Sequence, residues 1–292
     1  MSIESCKLSM QGVILQGGIM TVITFSRELA ALGDETAREL AKQLNYRFVD
    51  KYTLEERMKS YGIESEKIKK FDEKKPSFFA SLSQDRDYYL HYLKTAMFDE
   101  AEQGDCVFIG RGAGAVFRNM PARFAVFLAA PAQIRIERVK SYFHCDEQRA
   151  RQIIERSDHD RTGFHRYFFD IDWREPGNYH LTLNTGIFRP ADCAEIVMQL
   201  KDRIFTPEAE AKNAARLKEL ILEQRIKQYI MHEKEIPVHF LEITVSDGIV
   251  NLYGVANSQT LVDATVSAAI EAAGELEVQN EIQIVREYNV IP

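Results

Sequence analysis

Short apolar runs that alternate with amphipathic helical segments constrain this chain more than any other feature. Strand-like runs fall at 21–25, 47–49, 106–109, 124–128 and 180–183, with helical patterns between them. Strands separated by helices predict an α/β domain: a parallel sheet with helices on both faces, which binds ligands where its strands reach their carboxyl ends. The loops after Phe25, Asp50, Ile109 and Leu128 are therefore the informative ones. The first of them, within SRELAALGDETAREL at 26–40, leads from a strand past one glycine into a helix built on Ala37, Leu40, Ala41 and Leu44. At such a helix start the free backbone N–H groups and the helix dipole both face an anion.

The loop departs from the common phosphate-binding pattern G-x-x-x-x-G-K-[ST]. Gly33 stands at the second glycine, but Asp34 occupies the place of the lysine. Ala30-Ala31-Leu32 puts no glycine ahead of Gly33, and the backbone is therefore expected to resist the φ > 0 turns that aim N–H groups inward. An aspartate about 4 Å from a triphosphate costs on the order of 1–4 kcal/mol at surface-like dielectric. The other reading makes Asp34 a helix N-terminal acid beside Glu35, with Arg27 or Arg38 supplying the missing positive charge.

Further along, Tyr89, Leu93, Met97 and Ala101 fit the packed stripe of one long helix from Ser83 to Glu102. Thr206-Pro207 then starts a helix with a cap and an N1 proline, and its alanine- and charge-rich course to about Ile230 suits a semi-rigid connector. After Pro237 the period changes. Phe240, Glu242 and Thr244 alternate on one side of Ser246-Asp247-Gly248, and Val250, Leu252 and Gly254 on the other, which predicts a β-hairpin. A helix stopped by Gly274 and a last strand near 278–285 complete a β-β-α-β unit small enough to be a second, α+β domain.

The net charge of −7 argues against general electrostatic affinity for nucleic acid or for anionic membrane. The four cysteines, Cys6, Cys106, Cys145 and Cys193, show no C-x-x-C spacing, so reduced, mostly buried thiols in a cytoplasmic protein are expected. The N-terminal MSIESCKLSMQGVILQGGIM has too short and interrupted an apolar stretch for a secretory signal or a membrane span. Residues 1–19 are read as a disordered extension or an upstream start. His144, His159 and His165 lie near Cys145 and several acids, but their spacing fits no ligand motif, and no metal site is expected there. Trp173 is expected to be a packing anchor with an arginine stacked on it.

The densest polar signal is the arginine run Arg135, Arg138, Arg149, Arg151, Arg156, Arg161, Arg166 and Arg174. Each is either one side of a solvated helix face or one of a set that converges on an anion, since guanidinium stays charged and grips phosphate oxygens in a fork.

Three segments carry a resemblance: VITFSRELAALGDETARELAKQLNYRFVDKYTLEERM, GDCVFIGRGAGAVFRN and RSDHDRTGFHRYFFDIDWREPGNYHLTLNTG. In that order they resemble the cytidylate kinase-like family of P-loop nucleoside-monophosphate kinases, over about residues 20–205. The resemblance implies transfer of the γ-phosphate of ATP, with Mg²⁺, to a nucleoside monophosphate such as CMP. It makes the stretch from Ser26 to Gly33 the phosphate loop. Arg27, Asp34, Asp50, Gly110 and Arg111 become nucleotide or phosphate contacts, Asn184 and Thr185 the strand end beside the loop, and Arg156, Arg161 and Arg166 the lid and catalytic cations. This chain lacks the acid that classical cytidylate kinases place beside the Gly-Arg pair, which leaves Asp50 as the acidic candidate.

The C-terminal stretch VHFLEITVSDGIVNLYGVANSQTLVDATVSAAIEAAGELEVQNEIQIV resembles a BON domain. That implies a regulatory or docking module for a hydrophobic, lipid-like or protein partner, and no residue in it reads as catalytic. The expected layout is an extension at 1–19, a kinase-like domain at 20–205, a helical connector at 206–234 and a BON-like domain at 235–290, in a possible homo-oligomer. Two functions stay open: a working nucleotide kinase, and a nucleotide-binding sensor without catalysis.

Overall fold

The structure, a computed structural model, describes residues 20–70 and 85–285. The extension at 1–19 and the first residues of the helix expected from Ser83 lie outside the described residues. Strands β1 (Val22–Arg27), β2 (Arg47–Val49), β3 (Cys106–Ile109), β4 (Arg123–Ala129) and β5 (Leu181–Asn184) form one parallel sheet in the order β2-β3-β1-β4-β5. Cys-Val-Phe-Ile in β3 is buried at every position, as a strand covered on both faces requires. This confirms the expected α/β class.

Helices α1 (Gly33–Leu44) and α8 (Pro190–Ile204) cover one face, packing on Ile23, Phe25, Val107, Ile109 and Val126. The other face carries Val22, Val49 and Phe108. Against them pack α2 (Lys51–Ser60), α4 (Asp85–Glu102), the short α5 (Ala113–Val116) and the end of α7 (Glu147–Phe169). A small helix, α3 (Ser65–Lys70), follows α2, and α6 (Ala132–Phe143) lies between β4 and α7. The chain leaves β1 toward β2 on one side and continues from β3 to β4 on the other. The strand order therefore reverses at the carboxyl end of β1, where an open α/β sheet leaves a crevice.

Helix α9 (Pro207–Gln228) follows, capped by Thr206 Oγ1, which accepts the Ala209 amide at 3.3 Å. Far from standing in solvent, it is packed into the first sheet. Asn213 is fully buried; its Nδ2 donates to the carbonyls of Met20 and Ala122 (2.8 and 2.9 Å), and its Oδ1 accepts the Ala122 amide at 2.7 Å. Glu210 accepts the Thr21 hydroxyl at 2.8 Å, and Leu217 and Leu220 join the core around α4. Downstream, Ile226 and Ile230 enter a separate core with the C-terminal strands, and Glu223 accepts the Val245 amide at 2.9 Å.

That second unit holds β6 (His239–Ser246) and β7 (Ile249–Ala256), which are antiparallel, then α10 (Gln259–Ala273) and β8 (Glu277–Ile284), parallel to β7. Asp247 and Gly248 at the hairpin tip both have positive φ, 52° and 79°, the geometry that matches the twist of the flanking strands. Among the described residues no helix is long and apolar enough to cross a membrane.

Candidate functional site

The crevice at the carboxyl end of β1 is filled by the loop that joins it to α1. Ala30 and Leu32 stand in the left-handed region, with φ of 61° and 52°. This corrects the expectation that missing glycines would bar such turns. A left-handed alanine or leucine costs about 1–2 kcal/mol, and the surroundings hold it there. Arg135 Nε donates to the Leu29 carbonyl at 2.8 Å and Arg138 Nη1 to the Ala30 carbonyl at 2.9 Å. The Leu29 amide donates to Asp158 Oδ1 at 3.4 Å, and the Glu28 amide to the Leu128 carbonyl at 3.0 Å. Gly33 serves close approach instead: a Cβ there would lie 2.5 Å from Arg27 Cγ. Past Leu32, which caps α1 without a side-chain hydrogen bond, the first-turn amides of Gly33, Asp34 and Glu35 have no acceptor within the helix and present its positive end.

Charges ring this loop closely. Arg27 Nε lies 3.6 Å from Asp34 Oδ2, whose side chain is 54% exposed. Beneath the loop, Arg135 joins Glu28 (3.1 Å) to Asp158 (2.6 Å), and Arg174 reaches Asp158 at 2.8 Å. Arg174 and Arg161 both lie over the indole of the buried Trp173, at 5.2 and 6.0 Å from the ring centroid, and the indole N–H donates to Thr162 Oγ1 at 2.9 Å.

The arginines of α7 do not converge. On one continuous helix, residues five apart are turned by about 140°, so Arg156, Arg161 and Arg166 point in three directions. Arg156 and Arg166 are exposed, while Arg161 is buried, 3.7 Å from Asp158 and donating to Ser157 Oγ at 3.0 Å.

The remaining sequence candidates sit on two flanking walls. Asp50 caps α2: its Oδ1 accepts the amides of Tyr52 and Thr53 (2.9 and 3.1 Å), and its Oδ2 pairs with Arg38 at 3.0 Å. Arg38 in turn lies 4.1 Å over the Phe48 ring. Gly110, Arg111 and Gly112 form a left-handed run after β3 (φ 75°, 52° and 72°), with Arg111 buried and donating to Glu55 Oε1 at 2.6 Å. The Phe169 ring covers this turn so closely that a Cβ on Gly112 would meet Phe169 Cε2 at 2.1 Å. On the other wall, Asn184 Oδ1 accepts the Gly186 amide at 2.9 Å, and Thr185 is gripped by Arg138, whose Nη2 donates to its carbonyl at 2.6 Å.

Sequence reasoning missed Glu28, Arg135, Arg138 and Asp158 as loop-holding residues. The spacing of Arg135 and Arg138 on one helix face was the available signal; nothing in it tells which face meets the loop.

A cavity of about 270 Å³ opens beside the loop, between α5 and the segment before β5. Its lining includes Ser26, Arg118, Arg123, His165, Asn178 and Tyr179. Burial, with the neighbouring charge of Arg118, lowers the pKa of Arg123. Burial raises that of Tyr179, whose hydroxyl donates to the Trp173 carbonyl. Among the described residues no group of three or more His, Cys, Asp or Glu side chains is placed to hold a metal ion.

Residues 22–187 match the cytidylate kinase-like family and residues 218–286 match the BON domain. The cytidylate kinase of Sulfolobus acidocaldarius is 33% identical over 91 residues, 31% of this chain and 49% of that protein, so the chain spans about half the length of this curated relative. Among solved structures, an uncharacterized protein from Eubacterium ventriosum aligns with a TM-score of 0.49 and 17% identity over 62% of this chain and 98% of that one. Shikimate kinase from Bacteroides thetaiotaomicron aligns with a TM-score of 0.37 and 14% identity, over 63% and 98% of the respective chains.

Proposed function

The chain belongs to the cytidylate kinase-like family, and we propose that it transfers the γ-phosphate of ATP to a small acceptor, with CMP or a related nucleoside monophosphate as the substrate. The observation that supports this most is the left-handed loop at Ala30 and Leu32, held at the strand-order reversal and opening onto the amino end of α1. In this reading the loop amides cradle the donor phosphates and Arg27 adds positive charge beside them. Arg111 and Asp50 orient the acceptor from the α2 wall, and Asn184 and Thr185 border the donor. Arg156, Arg161 and Arg166 would share the transferring group only if α7 unwinds locally on closing, because on the continuous helix they point three ways.

Magnesium fits this rim. It binds through phosphate oxygens and water with only one or two protein carboxylates; Glu35, exposed in the first turn of α1, would be one, while Asp50 is taken up as the cap of α2. Bound with the nucleotide, such an ion would supply neutralisation of phosphate charge. The BON-like unit acts as a docking or regulatory module for a hydrophobic, lipid-like or protein partner, and a cytoplasmic location and a homo-oligomer accompany this reading. The limits 20–205 and 235–290 mark the two units in this reading, with α9 shared between their cores.

The test is calorimetric titration with ATP and Mg²⁺, then CMP, followed by an ADP-release assay on the same sample. Turnover supports the kinase, and absence of any binding overturns it. A second reading, a nucleotide sensor that binds without turnover, is favoured by Asp34 at the cation's position and by Arg161 lying against Asp158.

A further inference from the structure

The cavity beside β1 has a composition that neither the loop nor the α2 wall explains. Thr24 and Ser26 share one face of β1, the face turned away from α1, and α5 crosses above them. The Thr24 hydroxyl, 2% exposed, has no hydrogen-bond partner, and a Cβ on Gly114 would stand 3.5 Å from it and 3.9 Å from Arg123 Nη1. Arg123 runs along this face and donates one bond to the Gly114 carbonyl. Arg118 reaches the same space from the end of α5.

These two guanidiniums have no ion pair with any described residue, and no carboxylate among the described residues lines the cavity. Of the three acids in the neighbouring segment, Asp172 Oδ1 accepts the Arg174 amide at 3.0 Å and Glu175 Oε1 the Gly177 amide at 3.5 Å, and Asp170, at the end of α7, does not line the cavity. Half-burying Arg123 beside the exposed Arg118 without a counter-charge is unfavourable, and an anion between them would offset that cost. Ser26, Asn178 and the Tyr179 hydroxyl add neutral hydrogen-bonding groups, and His165, fixed through Nδ1 to the Arg161 carbonyl at 2.9 Å, closes the top.

We infer that this cavity is a binding site for a phosphomonoester of a small metabolite, its dianion held between Arg118 and Arg123 and its organic part against Ser26, Asn178 and Tyr179. Two cations, Arg123 anchored on the Gly114 carbonyl and Arg118 at the mouth, match one phosphate dianion, and guanidinium forks suit its oxygens. A volume of about 270 Å³ admits a sugar phosphate or a nucleoside monophosphate and excludes a triphosphate with its base. Arg111 does not line the cavity; it bonds to Glu55 of α2 and Tyr89 of α4. The cavity thus holds neither Arg111 nor Asp50, the acceptor residues proposed above, shares Ser26 with the edge of the phosphate loop, and does not depend on turnover.

The experiment titrates the full chain calorimetrically with ribose 5-phosphate, CMP and inorganic phosphate, each with and without saturating ATP and Mg²⁺. The variants are Arg118→Ala, Arg118→Glu and Arg118→Lys, with Gly114→Leu to fill the cavity. Binding of at least one phosphomonoester is expected, weakened at least tenfold by Arg118→Ala, abolished by Arg118→Glu and partly kept by Arg118→Lys. ATP binding and thermal midpoint should stay unchanged in the exposed Arg118 variants. Phosphomonoester binding that is indifferent to both Arg118→Glu and Gly114→Leu overturns the inference, as does no binding by any of the three probes. Loss of ATP binding in the unaltered chain with phosphomonoester binding intact overturns the kinase reading alone.

Discussion

Ala30 and Gly33 show how two small residues in one loop do different work. Ala30 is held at φ 61°, a conformation glycine enters freely. Ala30→Gly should raise unfolding free energy by up to about 1 kcal/mol, relief of left-handed strain exceeding the added chain entropy. A urea titration that shows a loss instead would mean that the Arg138 contact relieves the strain entirely. Gly33→Ala should act oppositely, because its Cβ would press 2.5 Å from Arg27 Cγ and push that side chain off the loop. Asp34→Lys restores the cation that phosphate loops ordinarily carry and should tighten ATP binding several-fold, at the expense of the Arg27 pair. Weaker binding by that variant would assign Asp34 a positive role, such as holding the magnesium ion.

Among the elements, α7 is the one whose behaviour its sequence conceals best. The parallel strands, the long helix through Leu93 and the hairpin at Asp247-Gly248 were legible, because period and turn chemistry are local properties. Which face of α7 turns inward is a tertiary outcome. Its arginines look alike in sequence, yet Arg161 is buried against Asp158 while Arg156 and Arg166 remain in solvent. The left-handed loop was misjudged for the same reason, since Arg135 and Arg138, about a hundred residues away, hold it in place. Asp158 accepts from the Leu29 amide and pairs with Arg135 and Arg174, so it ties α7 to the loop. Asp158→Asn should therefore lower stability by about 3 kcal/mol, the usual loss when one partner of a buried pair is removed. Denaturant unfolding measures it, and a change under about 1 kcal/mol would show that the tie is dispensable.

At the scale of the whole molecule, the two sheets meet along α4 and α9, where basic groups collect. His91 is buried and pushed down to about 4, first by burial and then by the charges of His232 and Lys227, against hydrogen bonds from Gln228 and Gln224. His232 lies with its ring 5.6 Å from that of His91, and its pKa is lowered by burial and by Lys227. Burial also lowers Lys94 and Lys227, with Asp87, Glu223 and Glu242 as the opposing acids. For a base whose folded pKa is depressed, the unfolded chain takes up the proton first. Stability should thus fall as pH drops from 6.5 toward 4, on the order of 3 kcal/mol from His91 alone, and stay level on that account above 6.5. Thermal scans across this range on the full chain and on His91→Gln, which keeps a hydrogen-bonding group but cannot charge, should show the slope flattened in the variant.

Helix α9 has a further implication for inheritance. Asn213 and Glu210 close the first sheet, and Leu217 and Leu220 complete its core, whereas Ile226 and Ile230 belong to the second. A fragment excised at residue 205 would expose the Met20 and Ala122 backbone and lose two core leucines. A fragment begun at residue 235 would lack the isoleucines on which its hairpin rests. No single cut leaves both halves whole, so recombination that moved either unit to another partner would have to carry a copy of this helix with it.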